Sequence, residues 1–172
     1  IEPEYEGYRD IFKDGKWGFV DARGRLRIPN RYDKVKHFSE GLAPFSLRKK
    51  WGFINKEDEI IFHPLYDDAE PFQDGLSLVR QKEKYGLINK SNELILPCRY
   101  DSIRKKTHGY FELKANNQFG LADSKGYIIY EPKYASQTIT ASSIVVGREG
   151  KFGVLDRQGL NLLPLNFDAI IP

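Results

Sequence analysis

An aromatic residue followed by glycine recurs at Trp17-Gly18, Trp51-Gly52, Tyr85-Gly86, Phe119-Gly120 and Phe152-Gly153, in steps of 34, 34, 34 and 33 residues. A fixed period of this size is the mark of a repeat architecture, in which each unit buries its apolar face against its neighbours. Further columns keep the same register. Four residues after each aromatic stands Asp21, Asn55, Asn89, Asp123 or Asp156, and three further on stands Gly24, Asp58, Asn92, Gly126 or Gly159. A proline follows in each copy, then a second ring at Tyr32, Tyr66, Tyr100, Tyr134 or Phe167. Asp33, Asp67, Asp101, Ala135 and Asp168 come directly after that ring.

The columns read as strands and turns. Asp or Asn opening a turn, with Gly, Asn or Asp three residues later, predicts a type I turn closed by a residue at positive φ. Flanking segments such as KWGFV and RLRI are short and rich in aromatic or branched side chains, as strands are. The predicted pairing sets the glycine column opposite Ile28, Phe62, Leu96, Tyr130 and Leu163. Proline is expected to end the second strand, because it cannot donate to a ladder. A third strand precedes each aromatic-glycine strand, as in GLAPFSL from Gly41 and GLSLVRQ from Gly75. Helical repeats of similar period need apolar faces a dozen residues long, and here the apolar runs stop at glycine or proline.

The expectation is therefore an all-β chain: five three-stranded antiparallel repeats, at about 7–40, 41–74, 75–108, 109–142 and 143–172, in one domain spanning 1–172. An elongated or superhelical array is favoured over a small closed propeller, whose blades usually hold four strands and ~40–45 residues. Both ring columns are expected in the core: Trp17, Trp51, Tyr85, Phe119 and Phe152, with Tyr32, Tyr66, Tyr100, Tyr134 and Phe167. The Asp column is expected to cap backbone N–H groups rather than form a cation ladder.

GKWGFVDARGRLRIPNRYD and KKWGFINKEDEIIFHPLYD resemble the WG repeat, also called the KWG repeat, of many bacterial proteins. FSEGLAPFS and FQDGLSLVR, from Phe38 and Phe72, fit the FxxGLAxV strand of that pattern. Tryptophan survives only in the first two copies, and KTHGYFELK and ITASSIVVG depart from the FxxGLA segment. The resemblance implies a β-repeat domain used for interaction, with no catalytic residues to carry over. It places the protein in bacteria, with the cell envelope or exterior favoured over the cytoplasm.

The remaining chemistry is sparse. His37, His63 and His108 sit at different repeat phases, so no metal or acid–base cluster is expected. One cysteine, Cys98, excludes an internal disulfide, and no catalytic motif or cofactor fingerprint occurs. No apolar run reaches membrane-span length. The chain begins at Ile1 and lacks methionine, which reads as a processed or trimmed product. Residues 7–40 carry nine basic and five acidic groups, 41–74 four and seven, 75–108 eight and three. The acidic second repeat interrupts any basic stripe, so no nucleic-acid partner is expected. Arg31, Arg99 and Lys133, with Arg104, Lys105 and Lys106, are the candidate contacts for a protein partner, and carbohydrate is the alternative ligand. Off-register rings at Tyr5, Tyr8, Phe12, Tyr110, Phe111 and Tyr127 are the candidates for exposed aromatic surface.

Overall fold

The computed structural model describes residues 5–170, in two compact units, Ile1–Cys98 and Arg99–Pro172. The described residues are all β apart from one 3₁₀ turn, Thr107–Gly109. Five antiparallel sheets follow one another along the chain, and none closes into a barrel. The first holds β1 (Tyr8–Lys13), β2 (Lys16–Asp21) and β3 (Leu26–Tyr32). The second holds β4 (Lys34–Val35), β5 (Ala43–Leu47), β6 (Lys50–Ile54) and β7 (Ile60–Tyr66). The third holds β8 (Asp68–Ala69), β9 (Leu76–Gln81), β10 (Lys84–Asn89) and β11 (Leu94–Tyr100), in which the boundary between units falls. The fourth holds β12 (Ser102–Lys105), β13 (Phe111–Ala115), β14 (Gln118–Ala122) and β15 (Ile128–Tyr134). The fifth holds β16 (Ser136–Ile139), β17 (Ile144–Arg148), β18 (Lys151–Leu155) and β19 (Asn161–Phe167).

The short strands β4, β8, β12 and β16 are additions to the three per repeat that the pattern predicts. Each follows directly on the second-ring strand of one repeat and pairs in the sheet of the next, as Lys34 with Ser46 and Val35 with Phe45. Sequence repeat and sheet are thus out of phase, and every handover bonds one repeat's backbone to its successor.

Turn chemistry sets the hairpins. In all five copies the residue three after Asp or Asn has positive φ: Gly24 74°, Asp58 66°, Asn92 59°, Gly126 87°, Gly159 86°. The opening side chain accepts two backbone hydrogen bonds, as Asp21 does from Arg23 and Arg25 at 2.9 and 3.0 Å. A second turn, between the first two long strands of each sheet, has just two residues, both at positive φ: Asp14-Gly15, Arg48-Lys49, Lys82-Glu83, Asn116-Asn117 and Glu149-Gly150. That is the type I′ hairpin, which suits the twist of the strands. Three of the five pairs contain no glycine, so left-handed backbone is imposed on ordinary side chains.

The Asp column meets this strain. Asp33 accepts from the Arg48 N–H at 2.7 Å, Asp67 from Lys82 at 2.7 Å and Asp101 from Asn116 at 2.8 Å. Each carboxylate therefore fastens the tight turn of the following sheet. Lys16 pairs with Asp33 and Lys50 with Asp67, which holds both carboxylates below the usual range together with those turn N–H groups. The lysine before the aromatic-glycine pair thereby acquires a structural role.

The expected register needs two corrections. Trp17 pairs with Tyr32, but Phe19, not Gly18, pairs with Ile28, leaving Gly18 against a bulge at residues 29–31. The second, fourth and fifth copies do the same, as Trp51 with Tyr66 and Phe53 with Phe62. A Cβ at Gly52 would strike the Phe62 carbonyl oxygen, and one at Gly120 would lie 2.6 Å from the Pro132 nitrogen. Glycine is required by that close approach. Proline accordingly sits inside the second strand, at Pro29 in β3 and Pro64 in β7, because the bulge needs no ladder donor there.

Each sheet has two apolar faces. In the first unit Phe19, Ile28, Tyr32 and Phe38 pack on Ala43, Phe45 and Ile54 of the second sheet. Trp51, Phe53, Phe62, Tyr66 and Phe72 pack in turn on Ala69, Val79 and Ile88 of the third. In the second unit Tyr110, Leu121, Tyr130 and Tyr134 meet Ile144, Val146 and Leu155. Within each unit a forward face of one sheet thus meets a rear face of the next. Tyr32, Tyr66, Tyr100 and Tyr134 are buried, but Phe167 is 40% exposed. Among the described residues no further sheet covers it. In the first ring column only Trp51 is buried, while Trp17, Tyr85, Phe119 and Phe152 are half-buried. These rings stand next to the two-residue turn, at a sheet end. Phe19, Phe53, Leu87 and Leu121, two residues on, are the fully buried column.

Candidate functional site

Three of the basic residues expected at a partner surface are absorbed by the fold. The Arg31 guanidinium lies 5.2 Å from the Tyr32 ring centre, donates to the Tyr32 hydroxyl at 3.1 Å and pairs with Asp58 at 2.9 Å. Tyr32 itself donates to Asp58 at 2.6 Å. Burial, then the hydrogen bond to Asp58, pushes the Tyr32 hydroxyl up to about 12. Arg99 repeats the arrangement over Tyr100 and pairs with Glu131. Lys133 stands 5.2 Å over the Tyr134 ring. A cation beside Tyr32, Tyr100 and Tyr134 covers each of these rings. Arg104, Lys105 and Lys106 are exposed on and after β12, with Lys106 3.4 Å from Glu112.

The off-register rings divide. Tyr110 and Phe111 are buried; Tyr8 is half-buried. Tyr5, stacked on His37 at 4.0 Å between ring centres, Phe12 and Tyr127 are exposed. His63 and His108 are also exposed, far apart in repeat phase. Among the described residues no group of three or more His, Cys, Asp and Glu could hold a metal ion. Cys98 is half-buried, and burial pushes its thiol up, away from the reactive thiolate.

A groove of about 500 Å³ in the first unit is lined by Trp17, Lys34, Val35, Lys36, Trp51 and Asp68. The handed-over strand β4 forms its floor between the two tryptophans. Phe12, 59% exposed, leans on Trp17 with ring centres 5.1 Å apart, extending the apolar wall. The Lys36 ammonium stands 4.9 Å over the Trp51 ring and is held by Asp68 at 3.0 Å and Glu70 at 2.9 Å. Lys34 is exposed at the rim. One repeat later the equivalent of Lys34-Val35-Lys36 is Asp68-Ala69-Glu70, then Ser102-Ile103-Arg104 and Ser136-Gln137-Thr138, so the combination of two tryptophans with two lysines belongs to this position alone. The retention of tryptophan in only the first two copies was the sequence signal for it. A second groove, of about 510 Å³ in the second unit, is lined by Tyr110, Asp123, Tyr127 and Arg157 among others. Its arginine lies over Tyr110 and donates to that hydroxyl at 2.8 Å.

The chain matches the family described as WG containing repeat over residues 17–51, 51–85 and 85–117, more than half its length. It belongs to that family. No curated protein matches it significantly. Among solved structures it is similar to a calcium-binding protein, regucalcin, from Agrobacterium tumefaciens, at 11% identity over 96% of this chain and 73% of that one, with a TM-score of 0.41. It is also similar to Hsv2 of Kluyveromyces lactis, at 11% identity over 73% of this chain and 44% of that one, with a TM-score of 0.35. A plant lectin with two metal binding sites from Cicer arietinum is similar at 8% identity over 78% of this chain and 89% of that one, with a TM-score of 0.27. The chain thus spans less than half of Hsv2, and TM-scores this low carry no argument about ligand or activity. No helix among the described residues is long and apolar enough to cross a membrane.

Proposed function

We propose that the protein is a non-catalytic binding module that recognises a protein partner through the Trp17–Trp51 groove. The single observation that carries this is the groove walled by half-buried Trp17 and by Trp51, with a lysine-bearing lining between them. Aromatic anchors flanked by cations suit an extended segment carrying an apolar side chain and a carboxylate. Lys34 supplies the free charge, and Lys36, already held by Asp68 and Glu70, keeps Trp51 oriented. Electrostatic attraction of this kind mainly sets encounter rate and partner choice and weakens as salt screens it.

Trp17 and Trp51 are the only two tryptophans in the chain, so their emission reports directly on the groove. Acidic peptides with an aromatic or aliphatic residue should quench or shift it, less so in high salt. Trp17→Phe and Lys34→Glu should each weaken that response while the melting temperature of Lys34→Glu stays at the parent's. A response to soluble glycan fragments with none to peptides would replace the protein-partner reading with carbohydrate binding.

A further inference from the structure

Directly before the glycine that opens each of the first four repeats stands Glu6, Glu40, Asp74 or His108, always at positive φ. In the first unit the two glutamates act as latches. Glu6 accepts the Gly41 N–H of the next repeat at 3.1 Å and pairs with the Lys56 ammonium at 3.2 Å. Glu40 accepts the Gly75 N–H at 3.1 Å and pairs with Lys90 at 3.0 Å. Each lysine follows the asparagine of its turn, Asn55 or Asn89, and also donates to its glutamate's backbone carbonyl at 3.0 Å. The recurring site is thus built to hold a carboxylate against a cation.

In the second unit Arg157, which follows Asp156, is the counterpart of Lys56 and Lys90. Its frame matches that of Lys56. The Lys56 ammonium lies 5.6 Å from the Tyr8 ring centre, and the Arg157 guanidinium 5.5 Å from that of Tyr110. Each tyrosine hydroxyl donates to the carbonyl of its cationic residue, at 3.4 and 3.5 Å. The acid is the difference, because His108 stands where Glu6 and Glu40 stand. The N–H of Ser142, the counterpart of Gly41, turns to the Thr140 hydroxyl at 3.4 Å. Arg157 Nε donates to Tyr110, and among the described residues no carboxylate pairs with its guanidinium. The frame that elsewhere holds a carboxylate therefore presents its cation to the groove of about 510 Å³.

We propose that the Arg157 groove binds a carboxylate carried on an aromatic body, with the ligand's oxygens taking the part that Glu6 and Glu40 play in the first unit. It is a second site, built on different residues from the Trp17–Trp51 groove. The volume falls in the range of small-molecule pockets. A guanidinium fork matches the two oxygens of a carboxylate in shape as well as charge. Tyr127, 70% exposed, and Ile128, 40% exposed, line the same groove and offer the ligand's ring an apolar wall. Asp123, a carboxylate of the same lining, already accepts the Lys125 and Tyr127 N–H groups at 2.9 Å each, so it belongs to the turn.

Calorimetric titration of the 172-residue protein with phenylacetate, phenylacetamide and inorganic phosphate tests this. Phenylacetate should bind, and its neutral amide should bind more weakly by about tenfold or more, the usual effect of losing a charged hydrogen-bond partner. Arg157→Gln, checked for parental circular dichroism, should weaken phenylacetate by a similar factor. His108→Glu is the sharper arm. It places a carboxylate on backbone whose φ of 62° is close to the 51° of Glu6 and 53° of Glu40. The new side chain should occupy Arg157 from within, abolishing phenylacetate binding while the melting temperature stays at or above the parent's. A short peptide ending in free phenylalanine, set against its C-terminal amide, separates a chain terminus from a small molecule as the carboxylate's source. Binding of either free acid, lost with its amide, supports the proposal. Binding of neither acid overturns it, as does equal binding of acid and amide, or phosphate bound as tightly as phenylacetate. Affinity unchanged by Arg157→Gln or by His108→Glu overturns it as well.

Discussion

The second and fifth sheets are built from the same pattern and end in different environments. Phe53, Phe62 and Tyr66 lie in a core shared with Ala69, Val79 and Ile88 of the next sheet, whereas Val154, Leu163 and Phe167 have no such cover. Strand lengths, both kinds of turn and the glycine bulge are alike in the two. Hairpin geometry is therefore a property of each repeat, and burial is a property of consecutive repeats. A unit this small cannot cover its own forward face.

The largest expected contrast is between equivalent core positions. Phe62→Ala should cost about 3–5 kcal/mol, as removal of a buried ring does, while Leu163→Ala, being exposed, should stay within about 0.5 kcal/mol. Chemical denaturation of the two variants at low protein concentration measures the difference. Equal costs would mean that the fifth sheet is covered as the second is.

Next comes the glycine column. Gly52→Ala forces a methyl into the Phe62 carbonyl and should destabilise by about 1–3 kcal/mol. Gly153→Ala, where the nearest atom would be the Leu163 oxygen at 2.9 Å, should cost less, because nothing packs over that strand to resist its shift. Thermal unfolding ranks the pair, and a reversed order would show that the bulge is as constrained at the end as inside.

A smaller effect is expected for Tyr32→Phe, which removes the hydroxyl bonded to Asp58 and should cost about 1 kcal/mol. The variant also separates a pH dependence. Tyr32 titrates higher when folded, so its contribution is complete below its ordinary value of 10.0 and is lost as pH rises towards about 12. The parent should lose stability more steeply than Tyr32→Phe over that window; Phe167 has no hydroxyl to lose, so the fifth sheet adds nothing to it.

The smallest effect concerns the turn-fastening carboxylates. Asp33 and Asp67 titrate low because of Lys16 and Lys50 and the N–H groups of Arg48 and Lys82. Their contribution is present above the ordinary carboxylate value and fades as pH falls through the lowered one. An Asp33→Asn, Asp67→Asn double variant should show a flatter decline in melting temperature below about pH 4. Asp168 fastens no following turn among the described residues, so the fifth sheet offers no equivalent contact.

The sequence by itself determined the repeat, its β character and the positive-φ turn column. Those rest on local sterics and hydrogen bonds that Asp21 with Gly24, or Asn55 with Asp58, settle within a few residues. It also carried the capping role of Asp33 and Asp67, although not the turn they cap: Arg48-Lys49 and Lys82-Glu83 bear none of the usual asparagine or glycine signals. Only the tertiary structure decided that Gly18 faces a bulge, that Lys34–Val35 crosses into the next sheet, and that Arg31 and Arg99 are spent on tyrosine rings. The same holds for the rings themselves. Trp17 is left half-open beside Lys34, Phe19 is sealed, and Phe167 is exposed where Tyr66 is buried, because burial depends on what the following sheet brings within contact distance, and no residue encodes that about itself.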